Sequence, residues 1–208
     1  MEKIKCLLNR QPRIQNEDEY FLSAVLLPLV KKEGEPHILF EVRANHLQRQ
    51  PGEICFPGGR IEKNEVETPE VAAVREATEE LGMEKEKIEL LGQLDYLVTP
   101  PGTLIYPYVG RILKPEDICP NPDEVAEVFT VPVAYFLENQ PSVSYVDVAT
   151  RYAADFPFHK VSSAYGPYWQ NRWTFAVYYY EYGKWFIWGM TARILQNFIK
   201  LCLSENAL

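Results

Sequence analysis

Arg75-Glu76-Ala77-Thr78-Glu79-Glu80-Leu81-Gly82 is the stretch on which the fold turns. Wound into a helix of ~3.6 residues per turn, it puts Glu76, Glu79 and Glu80 on one narrow face, where three carboxylates repel one another. A solvated helix gains nothing from that clustering, since like charges at i and i+4 are destabilising. Hard divalent cations such as Mg2+ or Mn2+, which favour oxygen ligands, give the cluster a purpose. Taken by itself, the run is also compatible with a plain solvated face.

The sequence marks both ends of this helix. Thr68 is placed to cap it, Pro69 suits the first turn, Glu70 favours the positive end of the dipole, and Gly82 is placed to stop it. At ~100° per residue, Val71, Val74, Thr78 and Leu81 fall opposite Glu76 and are expected to face the core. Ala72 and Ala73 lie on the carboxylate side, where small side chains let another backbone segment approach. Arg75 flanks that face, placed to neutralise and orient a glutamate. Upstream, Phe56-Pro57-Gly58-Gly59-Arg60-Ile61-Glu62 reads as a glycine loop that can come close to a ligand and offer the Gly59 carbonyl to a metal.

Outward from this core, apolar runs predict strands over 20–30 and 37–43, paired antiparallel across 31–36. Residues 53–56 lead into the glycine loop. Further strands are predicted over 88–97 and 104–113 around the turn Pro100-Pro101-Gly102. A loop over 120–127 precedes a short strand and a helix over 131–137. The run 178–188 reads as a hairpin around Tyr182-Gly183, and 191–203 as an amphipathic helix. Alternating strands and helices predict an α/β fold. The aromatic, proline-rich stretch 144–173 has no clear period and reads as an ordered insertion. It is open to three roles: a substrate lid, a dimer surface, or plain core packing.

A chain of 208 residues with 47% hydrophobic content suits one globular domain, taken as 1–208. A formal charge of −8 argues against a nucleic-acid surface, so an anionic substrate must be drawn by metal and local arginines. Cys6, Cys55, Cys119 and Cys202 are scattered without metal-ligand spacing, which predicts reduced thiols and a cytoplasmic protein. The opening MEKIKCLLNR lacks the apolar stretch of a signal peptide, and no window of ~18 apolar residues predicts a membrane span. The closing Glu205-Asn206-Ala207-Leu208 differs from a peroxisomal S-K-L signal.

These residues together resemble the Nudix box, GX5EX7REUXEEXGU with U aliphatic. Gly59 and Glu65 satisfy its first half; Arg75, Glu76, Ala77, Glu79, Glu80, Gly82 and Met83 satisfy its second. Nine residues separate Glu65 from Arg75 where the pattern has seven, the extra pair falling before Thr68. The resemblance implies an α/β/α sandwich, a mixed β-sheet between helices, in a metal-dependent hydrolase of nucleoside diphosphate derivatives. It implies Gly59, Glu76, Glu79 and Glu80 as metal ligands, Arg75 as an orienting residue, and a further acid from a later loop, for which Glu124 is the candidate. The proton acceptor stays open between a helix glutamate and such an outside acid.

The stretch Leu39 to Gly59 is also similar to the motif of the coenzyme A pyrophosphatase branch, roughly LLTxxSxxxRxxxGxxxFPGG. Leu39, Gly52 and Phe56-Pro57-Gly58-Gly59 match, while Phe40, Glu41, Ala44 and Gln48 depart from it. Arg43 and Arg49 stand near the missing arginine and, with Arg60, are the candidate substrate-binding residues. His46 reads as a surface residue. The branch resemblance implies coenzyme A as substrate; ADP-ribose, a dinucleotide, or a silent nucleotide sensor are the other readings. A homodimer, with no membrane or nucleic-acid partner, completes these expectations.

Overall fold

The computed structural model describes residues 14–100 and 102–204. Cys6, the opening decapeptide, Pro101 and the last four residues lie outside the described residues. β1 (Phe21–Lys32) and β2 (Glu35–Arg43) form the expected antiparallel hairpin. Both strands run on into the predicted 31–36 loop, because Glu33 and Gly34 take φ of 52° and 93° and close the turn in two residues.

The glycine stretch differs from its prediction. β3 (Ile54–Cys55) pairs with β2, and β4 (Gly58–Arg60) pairs with β1, with Gly59 opposite Ala24. It is a short strand, not a loop, and its missing side chains leave room for a helix above it. The run 88–97 divides into β5 (Ile88–Gln93) and β6 (Leu97–Val98), both antiparallel to β7 (Thr103–Ile112). β8 (Val125–Pro132) begins inside the predicted 120–127 loop and lies along β2. Because β7 runs parallel to β1, the eight-stranded sheet is mixed.

Three helices cover this sheet: α1 (Pro69–Leu81), α2 (Val133–Glu138) and α3 (Gly189–Ser204). Alternation along the central strands divides the core between the two faces. Leu26, Leu39 and Leu104 pack with α1, while Leu27, Ile38 and Phe40 pack with α2 and α3. The implied α/β/α sandwich is therefore what the chain forms. Among the described residues, no helix is long and apolar enough to cross a membrane.

The buried face of α1 is a correction to the helical-wheel reading. Leu81 is buried as expected, but Val71 is 51% exposed, and Val74 and Thr78 are half-buried. Ala72, Ala73, Ala77 and Glu80 go inward instead. The helix presses its small-residue side onto β1 and β4, so the acids on that side are enclosed with the alanines.

β9 (Ser142–Thr150), β10 (Gln170–Tyr182) and β11 (Trp185–Trp188) make a second, antiparallel sheet. The insertion supplies β9, the connecting residues and the start of β10. Core packing is not its role: among the described residues of 144–173, Gly166 alone is buried. The predicted hairpin holds, with its turn one residue later, at Gly183-Lys184.

Candidate active site

α1 is fixed at the end that carries the acids. Gly82 takes φ 60° and ψ 44°, and its N–H donates to the Thr78 carbonyl. The last carbonyls do not go unpaired: Cys119 N–H donates to Leu81 at 3.0 Å, and Asn121 N–H to Glu80 at 2.9 Å. Thr68 occupies the N-cap position without a side-chain hydrogen bond; its carbonyl accepts from Val71 N–H instead.

The first half of the site is a carboxylate–guanidinium network. Arg75 donates through Nε and Nη2 to the two oxygens of Glu65, at 2.9 and 3.0 Å, and through Nη2 to the Arg60 carbonyl at 3.1 Å. Its Nη1 reaches Glu76 at 2.8 Å and Glu79 at 3.3 Å. Glu65 is buried, and the Arg75 guanidinium beside it holds its carboxyl below the usual range. The two extra residues before Thr68 thus leave the Glu65–Arg75 pair intact. Arg75 ties the Arg60 carbonyl of β4 and Glu65 to Glu76 and Glu79 on the helix.

The second half lies deeper. Glu80 is buried, and its Oε2 accepts the Gly58 N–H at 2.7 Å. Burial pushes its carboxyl well up, and the charge of Glu41 adds to the effect. Burial also raises Glu76, against the pull of Arg75. Glu76 lies hard against Gly59, where a Cβ would overlap its carboxylate. Glu124, half-buried just before β8, adds its charge to those acting on Glu41, Glu76 and Glu80.

Placement of the expected ligands is uneven. Glu76 and Glu80 face inward, whereas Glu79 points outward with its side chain 55% exposed. The Gly59 carbonyl accepts the Ser23 hydroxyl at 2.8 Å and lies within the β4–β1 ladder, opposite Ala24. Among the described residues, no three His, Cys, Asp or Glu side chains form a ready metal cage. The donor chemistry nonetheless fits a hard cation: all are oxygens, several are enclosed, and the Glu41 Oε2 is buried without a hydrogen-bond partner.

Beside the acids opens a cleft of about 510 Å3 between the sheet and the start of α3. Ser23 and Gly58 form part of its wall and link it to the Gly59 carbonyl and to Glu80. Arg43 and Arg49 line it, tied by an Arg43 Nε bond to the Arg49 carbonyl at 3.4 Å. Arg49 and Arg60 both approach the Phe21 ring, at 5.9 and 5.8 Å. Two of the three candidate arginines thus line the cleft, and Arg60 stands at its edge beside Phe21. A mainly apolar groove of about 640 Å3 shares Gln50, Thr103 and Trp188 with the cleft and continues toward β9 and β10. His46 is exposed and Cys55, Cys119 and Cys202 are free thiols, as expected.

Sequence reasoning missed Glu41 and Ser23. Ser23 gives no signal, being one small polar residue in an apolar strand. For Glu41 the signal is a carboxylate inside the apolar run His37 to Arg43, where the branch motif has Thr.

The family model described as NUDIX domain matches residues 20–146. The chain belongs to the NUDIX domain family. Within it, the chain is 40% identical over 137 residues to the peroxisomal coenzyme A diphosphatase NUDT7 of Mus musculus, covering 65% of this chain and 56% of that protein. It is 34% identical over 175 residues to an uncharacterised Nudix hydrolase, NudL, of Photorhabdus laumondii, covering 84% and 81%. A Nudix hydrolase structure from M. smegmatis, RenU, overlaps 58% of this chain and 74% of its own at a TM-score of 0.46 and 25% identity. The chain thus spans little more than half the length of the mouse relative.

Proposed function

We propose that this Nudix protein hydrolyses the diphosphate linkage of coenzyme A, giving 4'-phosphopantetheine and adenosine 3',5'-bisphosphate, with Mg2+ or Mn2+ held by Glu76, Glu80 and the Gly59 carbonyl and by Glu79 from the rim. The single observation that carries the reading is the junction of an arginine-lined cleft with an enclosed set of carboxylates through Ser23 and Gly58. The mouse relative's coenzyme A diphosphatase name agrees with it.

A bound divalent cation supplies positive charge for the diphosphate oxygens and for an attacking water. The chain's own residues do the rest. Arg43, Arg49 and Arg60 bind phosphate groups at the cleft mouth, where guanidinium forks suit phosphate oxygens. Arg75 keeps Glu76 and Glu79 oriented from Glu65. Glu124, reaching the cluster from outside the helix, accepts the proton lost by water as its oxygen attacks phosphorus and the P–O–P bridge breaks. The apolar groove gives the pantetheine arm a place to lie.

Gln48, standing where the branch motif has Arg, favours a second reading: another nucleoside diphosphate derivative such as ADP-ribose. Product analysis by mass spectrometry, with coenzyme A, its 3'-dephospho form and ADP-ribose offered separately with Mg2+, separates the two. Coenzyme A cleaved fastest to the two named products supports the first reading. ADP-ribose turned over well ahead of it favours the second, and no cleavage in a broad diphosphate panel would leave a nucleotide sensor.

A further inference from the structure

Glu41 is a buried acid that the mechanism above leaves idle. Its side chain is 1% exposed in the middle of β2. Oε1 accepts the Cys55 thiol at 3.1 Å, while Oε2 has no partner among the described residues. The groups around it leave Oε2 without a donor. Cys55 on β3 is a weak donor, and Arg43, two residues along β2, offsets part of the charge without hydrogen-bonding to it, its Nε being directed to the Arg49 carbonyl. From α1 and the turn before β8 come only more negative charges: Glu76, Glu80 and Glu124. Glu41 is the strongest electrostatic neighbour of Glu80.

A buried carboxylate oxygen without a donor is costly, and a proton removes the charge but still leaves an oxygen or a new O–H without a partner in the same place. A cation satisfies the oxygen and the neighbouring acids together. We propose that Glu41 is an additional cation ligand of the hydrolase site, a carboxylate that this chain places where the branch motif has Thr. The inference rests on the reading of α1 as the cation-bearing helix, and it assigns Oε2 to the same ion as Glu76 and Glu80. The site thereby gains anionic donors from both the sheet and the helix.

The test is calorimetric titration of Mn2+ into the metal-stripped full chain, without substrate, beside melting curves of the same samples. The proteins are wild type, Glu41→Gln, Glu41→Thr and, as reference, Glu80→Gln. Wild type should bind Mn2+, and both Glu41 variants should bind it on the order of tenfold more weakly or worse. Their metal-free melting temperatures should equal or exceed that of wild type, since both replace a carboxyl whose charged form burial and the neighbouring acids disfavour. Unchanged Mn2+ affinity in both variants overturns the assignment, as does a lower metal-free melting temperature in both, which makes Glu41 a structural residue. Wild type that binds no Mn2+ overturns the cation reading of α1 itself, so the two failures are told apart by the first titration.

Discussion

Nine residues lie between Glu65 and Arg75, yet the two side chains form a bidentate pair. Glu65→Gln keeps the shape and removes the charge, so it should destabilise the protein by about 1–3 kcal/mol at pH 7, read by urea denaturation. The pair holds the folded carboxyl below its unfolded value, so its contribution is complete above about pH 4.3. It is lost as pH falls through the lowered folded value, and the two proteins should converge in acid. Glu80→Gln behaves differently. Its amide oxygen can still accept the Gly58 N–H, and the carboxyl whose charged form burial and Glu41 disfavour is replaced by a neutral group, so the melting temperature should hold or rise. Diphosphate turnover should fall by about a hundredfold or more. Turnover near wild type would remove Glu80 from the chemistry. The sequence shows Glu76, Glu79 and Glu80 as a group, but not that Glu79 turns to solvent. Sharing a helix face does not decide which member of it another element covers.

The bounds of α1 are legible because they are set locally, by Pro69 at one end and by the positive φ of Gly82 at the other. Its buried face is not legible by the same means. Hydrophobic periodicity assumes that charge faces water, and here Glu76 and Glu80 face inward beside Ala72, Ala73 and Ala77 because β4 is two glycines and an arginine. Gly59→Ala tests this packing. The added methyl would displace the Glu76 carboxylate, and a shift of about 1 Å can cost about a hundredfold in rate, so turnover should fall much further than stability. Gly82→Ala should do the reverse. It puts a side chain into left-handed backbone against the Cys119 carbonyl, which should cost at least about 1–2 kcal/mol in urea denaturation. A Gly59→Ala protein as active as wild type would mean that Glu76 does not need its place against the strand.

Over the whole molecule, the two-sided core can be read from sequence because alternation along β1 and β2 sends neighbouring residues to opposite faces. In the second sheet the β10–β11 hairpin is legible, but β9 and the start of β10 are not, since they are exposed on both sides and carry no period. The cleft depends on residues far apart in the chain, from Phe21 to Ile194, and no local pattern announces it. Two consequences concern the assembled molecule. Arg43→Ala and Arg49→Ala should raise KM for coenzyme A more than for its 3'-dephospho form. Equal losses would show that neither arginine reads the 3'-phosphate. Burial raises Glu41, Glu76 and Glu80 together, so in metal-free protein their joint contribution to stability is most favourable below the unfolded value of about 4.3. It declines as pH climbs through the raised folded values. Mg2+ should flatten that decline in melting curves.

The proposed hydrolysis requires a divalent ion held by the enclosed acids on α1 and its neighbours, next to the arginine cleft. Anomalous scattering from crystals soaked in Mn2+ locates such an ion. A peak bounded by Glu76, Glu80 and the Gly59 carbonyl is the expected result. Strong Mn2+ peaks elsewhere, with none among these groups, would contradict it.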